Sequence, residues 1–241
     1  VVDDADTRRG CPTINAAWDN HVAVLVGDFF LSTALRESCD TGDLRIIRSI
    51  SSLGRELATG EMDQICNARF HTLDERAYMT TIGRKTASLF VSCVELGAYA
   101  VGVDSDDPAL TALRRYAELL GLCFQIRDDI FDYYAVDDAI GKPTGNDLRE
   151  GKVTLPLLYA LTKSGDRRSC EMTELVGKEE LSADEITTLI EFAKNAGGID
   201  YAHGVMSDLR HRGRDIMAPW AGNAATAAFE SIFDFIIARE S

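Results

Sequence analysis

Apolar residues recur at three- and four-residue intervals along most of this chain, which is the spacing of amphipathic α-helices. Few prolines interrupt the pattern, and no apolar–polar alternation of strand length is bounded by turn residues. Start and stop signals predict helices at about 14–39, 44–69, 74–84, 86–102, 108–135, 183–196, 199–217 and 220–239. With no repeat or interdomain linker in view, we predict an all-α fold, a large single-domain antiparallel helical bundle over residues 1–241.

Local signals mark several helix starts and one long polar loop. Capping-box patterns and first-turn prolines predict four starts, at Thr72 with Glu75, Ser182 with Glu185, Asp107–Pro108 and Ala218–Pro219. The segment 137–152 contains glycines and a proline that prevent continuous helix. Polar loops of this length in compact domains are often functional, so we expect it to contribute to a site.

The charge balance excludes one class of partner. A formal net charge of −14 argues against nucleic-acid binding, because phosphate backbones are bound by an excess of lysine and arginine. Six cysteines are scattered singly, which predicts reduced, mostly buried thiols in a cytoplasmic protein. The four histidines form no zinc-binding spacing.

The most apolar stretch, at 86–103, approaches the length of a membrane span. Lys85 stands at its start and Glu95 lies inside it, so we interpret it as a buried core helix and predict no transmembrane segment. No signal peptide is visible. The chain begins at Val1 within an acidic segment, and we expect further residues upstream.

The sequence QIRDDIFDYY, at 125–134, places three aspartates within five positions of a predicted helix. At 100° per residue the polar side chains fall on one stripe: Gln125, Asp128, Asp129 and Asp132. The apolar side chains fall on another: Leu119, Leu122, Ile126, Ile130 and Tyr133. Asp128 and Asp132 form a like-charge i,i+4 pair, whose repulsion a hard divalent cation would relieve. The pattern leaves both a solvated acidic face and a metal site open.

Cationic residues elsewhere favour the metal site. Arg8 and Arg9 offer forked donors that suit phosphate oxygens. Lys85 at the start of an apolar helix either snorkels to solvent or binds phosphate, and Lys142 and Lys152 lie in the polar loop. A strongly acidic protein binds a polyanion through bridging cations and a few local lysines and arginines. We therefore predict a phosphate-bearing substrate.

Several motifs, in order, resemble the trans-isoprenyl diphosphate synthases of the polyprenyl synthetase family. QIRDDIFD followed by GKPTGNDLREGKVTLPLLYAL is similar to the second aspartate-rich region of the family. GEMDQ resembles its Gly-Gln/Glu-x-x-Asp element, and KTASLF its Lys-Thr helix start. DTRRGCPT resembles the segment after the first motif, Asp-Asp-x-x-Asp, of which VVD, ending at Asp3, would be the last part. The two earlier aspartates and the preceding helices are absent from the chain.

The resemblance implies an isoprenoid-synthase bundle, acting as a homodimer, that condenses isopentenyl diphosphate with an allylic diphosphate. Three Mg²⁺ ions in the substrate complex would be held by Asp3, Asp128 and Asp132, with Asp129 in support. Residues that would contact the allylic diphosphate are Arg8, Lys85, Lys142 and Lys152, and Arg9 would contact isopentenyl diphosphate. Thr86 and Gln125 would bind near the reacting carbons, where oxygen dipoles stabilise an allylic cation. Asp63 would orient Lys85 or a metal-bound water.

Other functions stay open beside this one. A class I terpene cyclase shares the fold, but has an Asn/Asp–Ser/Thr–Glu motif in place of DDIFD. A non-catalytic subunit of a heterodimeric prenyltransferase often lacks an aspartate motif, and a plain helical scaffold leaves the acidic stripe unexplained. Small residues at the expected product tunnel predict a long-chain product, beyond geranylgeranyl; the tunnel positions are Leu89, Cys93, Leu96 or Gly97, and Gly121.

Overall fold

The computed structural model describes residues 5–8, 10–134, 144–163 and 165–239. The chain divides into two compact units, 1–52 and 53–241. Regular structure in the described residues is almost entirely helical, so the all-α prediction is confirmed. The exception is a short antiparallel ladder between β1 (Thr7–Arg8) and β2 (Cys11–Pro12).

The first unit contains α1 (Ile14–Ala17), α2 (Asn20–Asp40) and the start of α3 (Leu44–Arg69). A single helix was predicted over 14–39, but the structure has a break before Asn20. The Asp19 side chain accepts the backbone N–H of Val22 at 2.8 Å and caps α2, which starts a new helix there.

The second unit continues α3 and adds the remaining helices. They are α4 (Glu75–Ile82), a π-helical turn (Gly83–Ala87), α5 (Ser88–Ala100), α6 (Pro108–Phe131), α7 (Asn146–Arg149), α8 (Leu155–Lys163), α9 (Arg167–Val176), α10 (Ala183–Asn195), α11 (Gly198–Met217), a 3₁₀ turn (Ala218–Trp220) and α12 (Ala224–Ala238). The helices predicted at 74–84 and 86–102 are one run joined by the π turn, and α7, α8 and α9 were not predicted.

The predicted helix starts have mixed outcomes. The Ser182–Glu185 capping box is present, and Asp107 caps α6 ahead of its proline. The box predicted at Thr72 is wrong, because the Asp74 side chain caps α4. The start predicted at Ala218–Pro219 is also wrong, because this pair lies in the 3₁₀ turn and Asn223 caps α12.

Helix α6 is the centre of the second unit, where it packs against α5, α11 and α12. Nearly every side chain from Tyr116 to Cys123 is buried, and the predicted apolar stripe of α6 is buried throughout. The Tyr116 hydroxyl donates to the Phe229 carbonyl oxygen at 2.7 Å, and its ring meets Phe229 and Phe233 edge-on. This packing fixes the helix that carries the aspartate motif.

Two expectations about exposure are corrected. All six cysteines are free thiols, as predicted, but only Cys123 is buried. On α5, Leu89, Cys93 and Gly97 are exposed, while Ser92 and Tyr99 are buried, so the apolar segment at 86–103 is only partly a core helix. No helix in the described residues is long and apolar enough to cross a membrane.

Gly121 lets α6 approach the π turn closely. A Cβ atom at this position would lie 2.5 Å from the Ala87 Cα atom and 3.0 Å from the Phe90 ring. The prediction that Gly121 lines a product tunnel is therefore wrong, because its free side faces a neighbouring helix.

We expect Gly121→Ala to lower the free energy of unfolding by about 1–3 kcal/mol, since the new methyl group must push helix backbones apart. Gly204→Ala is the matched control. Gly204 also lies within a helix, α11, and a Cβ atom added there would meet nothing within 4 Å. The control should gain up to about 1 kcal/mol from helix propensity. Urea unfolding of both variants measures the difference, and equal stabilities would contradict the close approach.

Candidate active site

A continuous chain of hydrogen bonds joins α4, the π turn and α6. The Thr86 hydroxyl donates to Gln125 Oε1 at 2.6 Å, and Gln125 Nε2 donates to Asp129 Oδ1 at 2.7 Å. The Tyr78 hydroxyl donates to the other oxygen of Asp129 at 2.6 Å. Thr86 and Gln125, which were expected to lie together near the reacting carbons, are thus in direct contact.

The π turn aligns the two ends of this chain. On a regular α-helix, residues eight positions apart, such as Tyr78 and Thr86, point about 80° away from each other. A π turn takes up one extra residue, which reduces that offset to about 20°. Gly60 of α3 accommodates the turn, because a Cβ there would lie 2.5 Å from the Lys85 backbone nitrogen. Glycine at this position therefore allows Tyr78 and Thr86 to face α6 together.

Lys85 and Asp63 do not form the pair that was predicted. Lys85 Nζ lies 2.7 Å from a carboxylate oxygen of Glu61, and Asp63 accepts a hydrogen bond from Arg84 at 2.7 Å. The expectation that Asp63 orients Lys85 is corrected accordingly. The carboxylate that pairs with Lys85 belongs to Glu61, two residues before Asp63 on α3.

The aspartates of the motif have different surroundings. Asp128 is ion-paired with Arg239, which follows α12, and this guanidinium also lies over the Phe124 and Phe131 rings. The two oxygens of Asp132 accept the backbone N–H groups of Asn146 and Asp147, at 2.9 and 3.0 Å. Both carboxylates retain lone pairs for a further ligand.

Asp129 differs because it is only 5% exposed. Burial raises its pKa to about 6, although the hydrogen bonds from Tyr78 and Gln125 lower it and the charges of Asp128 and Asp132 raise it further. Its two oxygens are occupied by Tyr78 and Gln125. The supporting role that the family resemblance implies for Asp129 stays a prediction.

Two cavities adjoin this cluster and share three of their lining residues, Gln125, Asp129 and Asp147. One, of about 120 Å³, also reaches Lys85 and Lys152. The other, of about 330 Å³, is bordered by Asp128 and Asp132. The smaller cavity therefore has two lysines in its lining, and the larger one has the Asp128 and Asp132 carboxylates together with Arg239.

The described residues contain no group of three or more His, Cys, Asp or Glu side chains arranged to hold a metal ion. Asp128 and Asp132 nevertheless suit Mg²⁺, which typically takes one or two carboxylates and completes its octahedron with water and substrate phosphate. The donor set fits an ion that binds together with a phosphorylated substrate rather than one held in a protein cage.

The remaining predicted residues are distributed unevenly. Lys152 pairs with Glu150 beside the smaller cavity. Arg8 is exposed on β1 of the first unit. Asp3, Arg9 and Lys142 lie outside the described residues. Their assigned roles stay predictions.

Comparison with known proteins identifies the family. The sequence model of the polyprenyl synthetase family matches residues 1–193, which is most of the chain. The chain belongs to the polyprenyl synthetase family. The resemblance noted from the motifs is thereby confirmed.

Two curated members of this family are similar to the chain over 205 residues at 36% identity. The match with heptaprenyl diphosphate synthase component 2 of Geobacillus stearothermophilus covers 85% of this chain and 62% of that protein. The match with octaprenyl diphosphate synthase of Haemophilus influenzae covers 84% of this chain and 60% of that protein. The chain thus spans about three-fifths of the length of these curated relatives.

A solved structure of a polyprenyl synthetase family member has the same fold. The polyprenyl synthase of Caulobacter crescentus, complexed with calcium and isoprenyl diphosphate, superposes with a TM-score of 0.89 at 33% identity. The superposition covers 100% of this chain and 73% of that one. The isoprenoid-synthase bundle expected from the sequence is confirmed.

Several residues of this polyprenyl synthetase site were not predicted from the sequence. No local pattern identifies Tyr78, because the π turn changes its register with Lys85 and Thr86. Asp147 is the acid inside the motif GNDLREGK, a signal that was present in the sequence. No local pattern identifies Arg239, which meets Asp128 across 111 positions of the chain.

Asp147 gives a pH-dependent test of the site. Burial, followed by the charges of Asp129 and Asp132, raises its pKa from 3.8 to about 8, while Lys152 lowers it. The native state therefore holds a proton that the unfolded state releases near pH 4, and the carboxyl costs increasing stability as the pH rises from about 4 to about 8.

We expect Asp147→Asn to stabilise the metal-free protein over this range, with a gain that grows from about pH 4.5 to about pH 8.5. Thermal or urea unfolding in the presence of a chelator measures the gain at each pH. Asp200→Asn, at an exposed position of α11, is the control and should show no such trend. A gain for Asp147→Asn that is independent of pH would contradict the raised pKa.

Proposed function

We propose that this chain carries the catalytic site of a prenyltransferase. The reaction is a divalent-metal-dependent condensation of isopentenyl diphosphate with an allylic diphosphate to a longer trans-polyprenyl diphosphate. The observation that supports this most directly is the Thr86–Gln125–Asp129 chain of hydrogen bonds. Its Gln125 and Asp129 line both the cavity that reaches Lys85 and Lys152 and the cavity bordered by Asp128 and Asp132. An oxygen-lined centre beside phosphate- and metal-binding groups suits a reaction that passes through a carbocation.

We assign the cationic residues to the substrate diphosphate and the acidic residues to the metal ion. Lys85 and Lys152 would bind phosphate oxygens of the allylic diphosphate, exchanging Glu61 and Glu150 for the stronger anion. Asp128 and Asp132 would hold Mg²⁺, with Asp3 as the further carboxylate expected from the family. When bound, the divalent ion supplies charge stabilisation to the departing diphosphate.

The bond changes need no nucleophilic side chain. The C–O bond of the allylic diphosphate breaks and its electron pair leaves with the diphosphate. Gln125 Oε1 and Thr86 Oγ1 direct negative dipole ends towards the resulting allylic cation. The C=C bond of isopentenyl diphosphate then supplies the electron pair of the new C–C bond, and a proton passes to the released diphosphate. This mechanism uses preorganised dipoles and charge.

The expected partners follow from the family and from the chemistry. We propose a homodimer that acts in the cytoplasm, and the free cysteines suit a reducing compartment. The name "component 2" of the Geobacillus relative supports a second arrangement, in which a different subunit is needed for activity. Light scattering and activity assays of the purified full-length protein distinguish these assemblies, because only a homodimer is active without a second gene product.

Asp128→Ala should lower kcat by roughly 100-fold or more while the helical fold survives, because the variant loses a carboxylate that holds the metal. Asp215→Ala, an exposed aspartate of α11, is the control and should retain full activity. The assay incubates the full-length protein with isopentenyl diphosphate, farnesyl diphosphate and Mg²⁺, and analyses the products by chromatography. Turnover in excess chelator, or an unchanged rate for Asp128→Ala, would contradict the proposed function.

We also propose a long-chain product. The names of the heptaprenyl and octaprenyl relatives support it, as does the lack of bulky aromatic side chains at Leu89, Cys93 and Gly97 on the exposed face of α5. One isoprene unit reaches roughly one helical turn along a helix, so this face offers successive positions at Leu89, Cys93 and Gly97.

Cys93→Phe should shorten the product by one or more isoprene units without abolishing turnover, because the ring would fill the path of the growing chain. Cys170→Phe, at an exposed position of α9, is the matched control. Chromatographic chain-length analysis separates the two. A folded, active Cys93→Phe variant with an unchanged product would exclude this helix face from the tunnel.

A further inference from the structure

The orientation of the Gln125 side-chain amide is fixed by its neighbours. An ionised carboxylate has only acceptor sites, so the group that faces Asp129 must be the Gln125 amide NH₂. The carbonyl oxygen of the same amide then faces the opposite way, where it accepts a hydrogen bond from the Thr86 hydroxyl. Because the Thr86 hydroxyl proton points at Gln125, the lone pairs of the Thr86 hydroxyl oxygen remain available on its other sides.

The Asp129 carboxylate is held in the orientation that this arrangement of the Gln125 amide requires. Tyr78 donates to Oδ2 and leaves Oδ1 to Gln125, so each carboxylate oxygen has its own donor. Burial, together with the charge and hydrogen bond of Asp129, raises the pKa of the Tyr78 hydroxyl well above its ordinary value, which keeps that group a donor. With 5% exposure, Asp129 is far less open to an added ligand than its neighbour Asp128.

We infer that Asp129 and Tyr78 are positioning residues that set the polarity of the Gln125 amide, so that its oxygen and not its NH₂ serves the allylic cation. This inference rests on the proposed function and assigns Asp129 a task other than metal binding. A reversed amide would turn the positive ends of N–H dipoles towards the same place and oppose a developing positive charge.

Two neutral substitutions of similar size distinguish the effect of the Gln125 amide polarity from the effect of the Asp129 charge. In Asp129→Asn the new amide can turn its oxygen to Gln125 and donate from its NH₂ to the Tyr78 oxygen, so the native polarity is retained. In Asp129→Leu the acceptor is absent, and the Gln125 NH₂ is free to turn towards the Thr86 oxygen instead. Both variants lose the same negative charge, so any difference between them reports hydrogen bonding.

Binding of two matched ligands measures the polarity of the Gln125 amide without an activity assay. The diphosphate ester of 2-(trimethylammonio)ethanol carries a permanent positive charge near the reacting carbon, and the 3,3-dimethylbutyl diphosphate ester has the same shape without that charge. The ratio of their affinities, measured by calorimetry on the full-length protein with Mg²⁺, isolates the interaction with positive charge.

Wild type and Asp129→Asn should prefer the charged ester, and Asp129→Leu should lose roughly tenfold or more of that preference. Binding of Mn²⁺ with inorganic pyrophosphate, followed by electron paramagnetic resonance, should be the same in all three proteins. A preference that survives Asp129→Leu, or Mn²⁺ binding that weakens in Asp129→Asn, overturns the positioning role. If wild type itself shows no preference, the cation-stabilising site of the proposed function fails, and the inference fails with it.

A double substitution provides the same test if Asp129→Leu does not fold. Adding Tyr78→Phe to Asp129→Asn removes the oxygen that accepts from the new amide, whose NH₂ then turns to the Gln125 oxygen and reverses it. The preference for the charged ester should fall in the double variant and be largely kept in each single one. Additive effects of the two substitutions would overturn the proposed coupling.

Discussion

Repulsion between carboxylates is the constraint around which the second unit is organised. Those of Asp128, Asp129, Asp132 and Asp147 border the larger cavity. Each has a different compensation: the Arg239 guanidinium, the Tyr78 and Gln125 hydrogen bonds, two backbone N–H groups, and the nearby Lys152 charge. Because these compensations come from separate elements, the acidic site can exist only when α4, α6, α7 and the segment after α12 are assembled together.

Close helix packing makes that assembly possible. Gly60 and Gly121 lie against the backbone of the π turn from two sides, and neither position has room for a side chain. The turn is thereby fixed between α3 and α6, with Lys85 and Thr86 presented at its surface. A hydrogen bond of 2.6 Å from the Thr86 hydroxyl to Gln125 then links the turn to α6. Packing and polar chemistry thus specify the same geometry, which is the expected mark of a preorganised site.

The sequence predicted the parts of this structure that depend on local periodicity. The apolar stripe of α6 is an example, since it follows from helix geometry. The common location of Thr86 and Gln125 was expected from the family resemblance instead. Helices α7 to α9 were missed because glycine, proline and polar residues dominate the segment before them. The π turn and the Arg239 ion pair could not be predicted, because both depend on tertiary contacts between residues far apart in the chain.

The π turn separates the requirements of the fold from those of the site. Its extra residue is absorbed within 83–87, so α4 and α5 have the relative rotation of a regular helix that is one residue shorter. A chain without that residue could therefore run unbroken from α4 into α5 and still pack both helices as they pack now. What such a chain would lose is local: the widened backbone between Gly60 and Gly121, and with it the present placement of Lys85. The turn is thus a feature that the bundle could form without, retained at the point where Lys85 faces the smaller cavity.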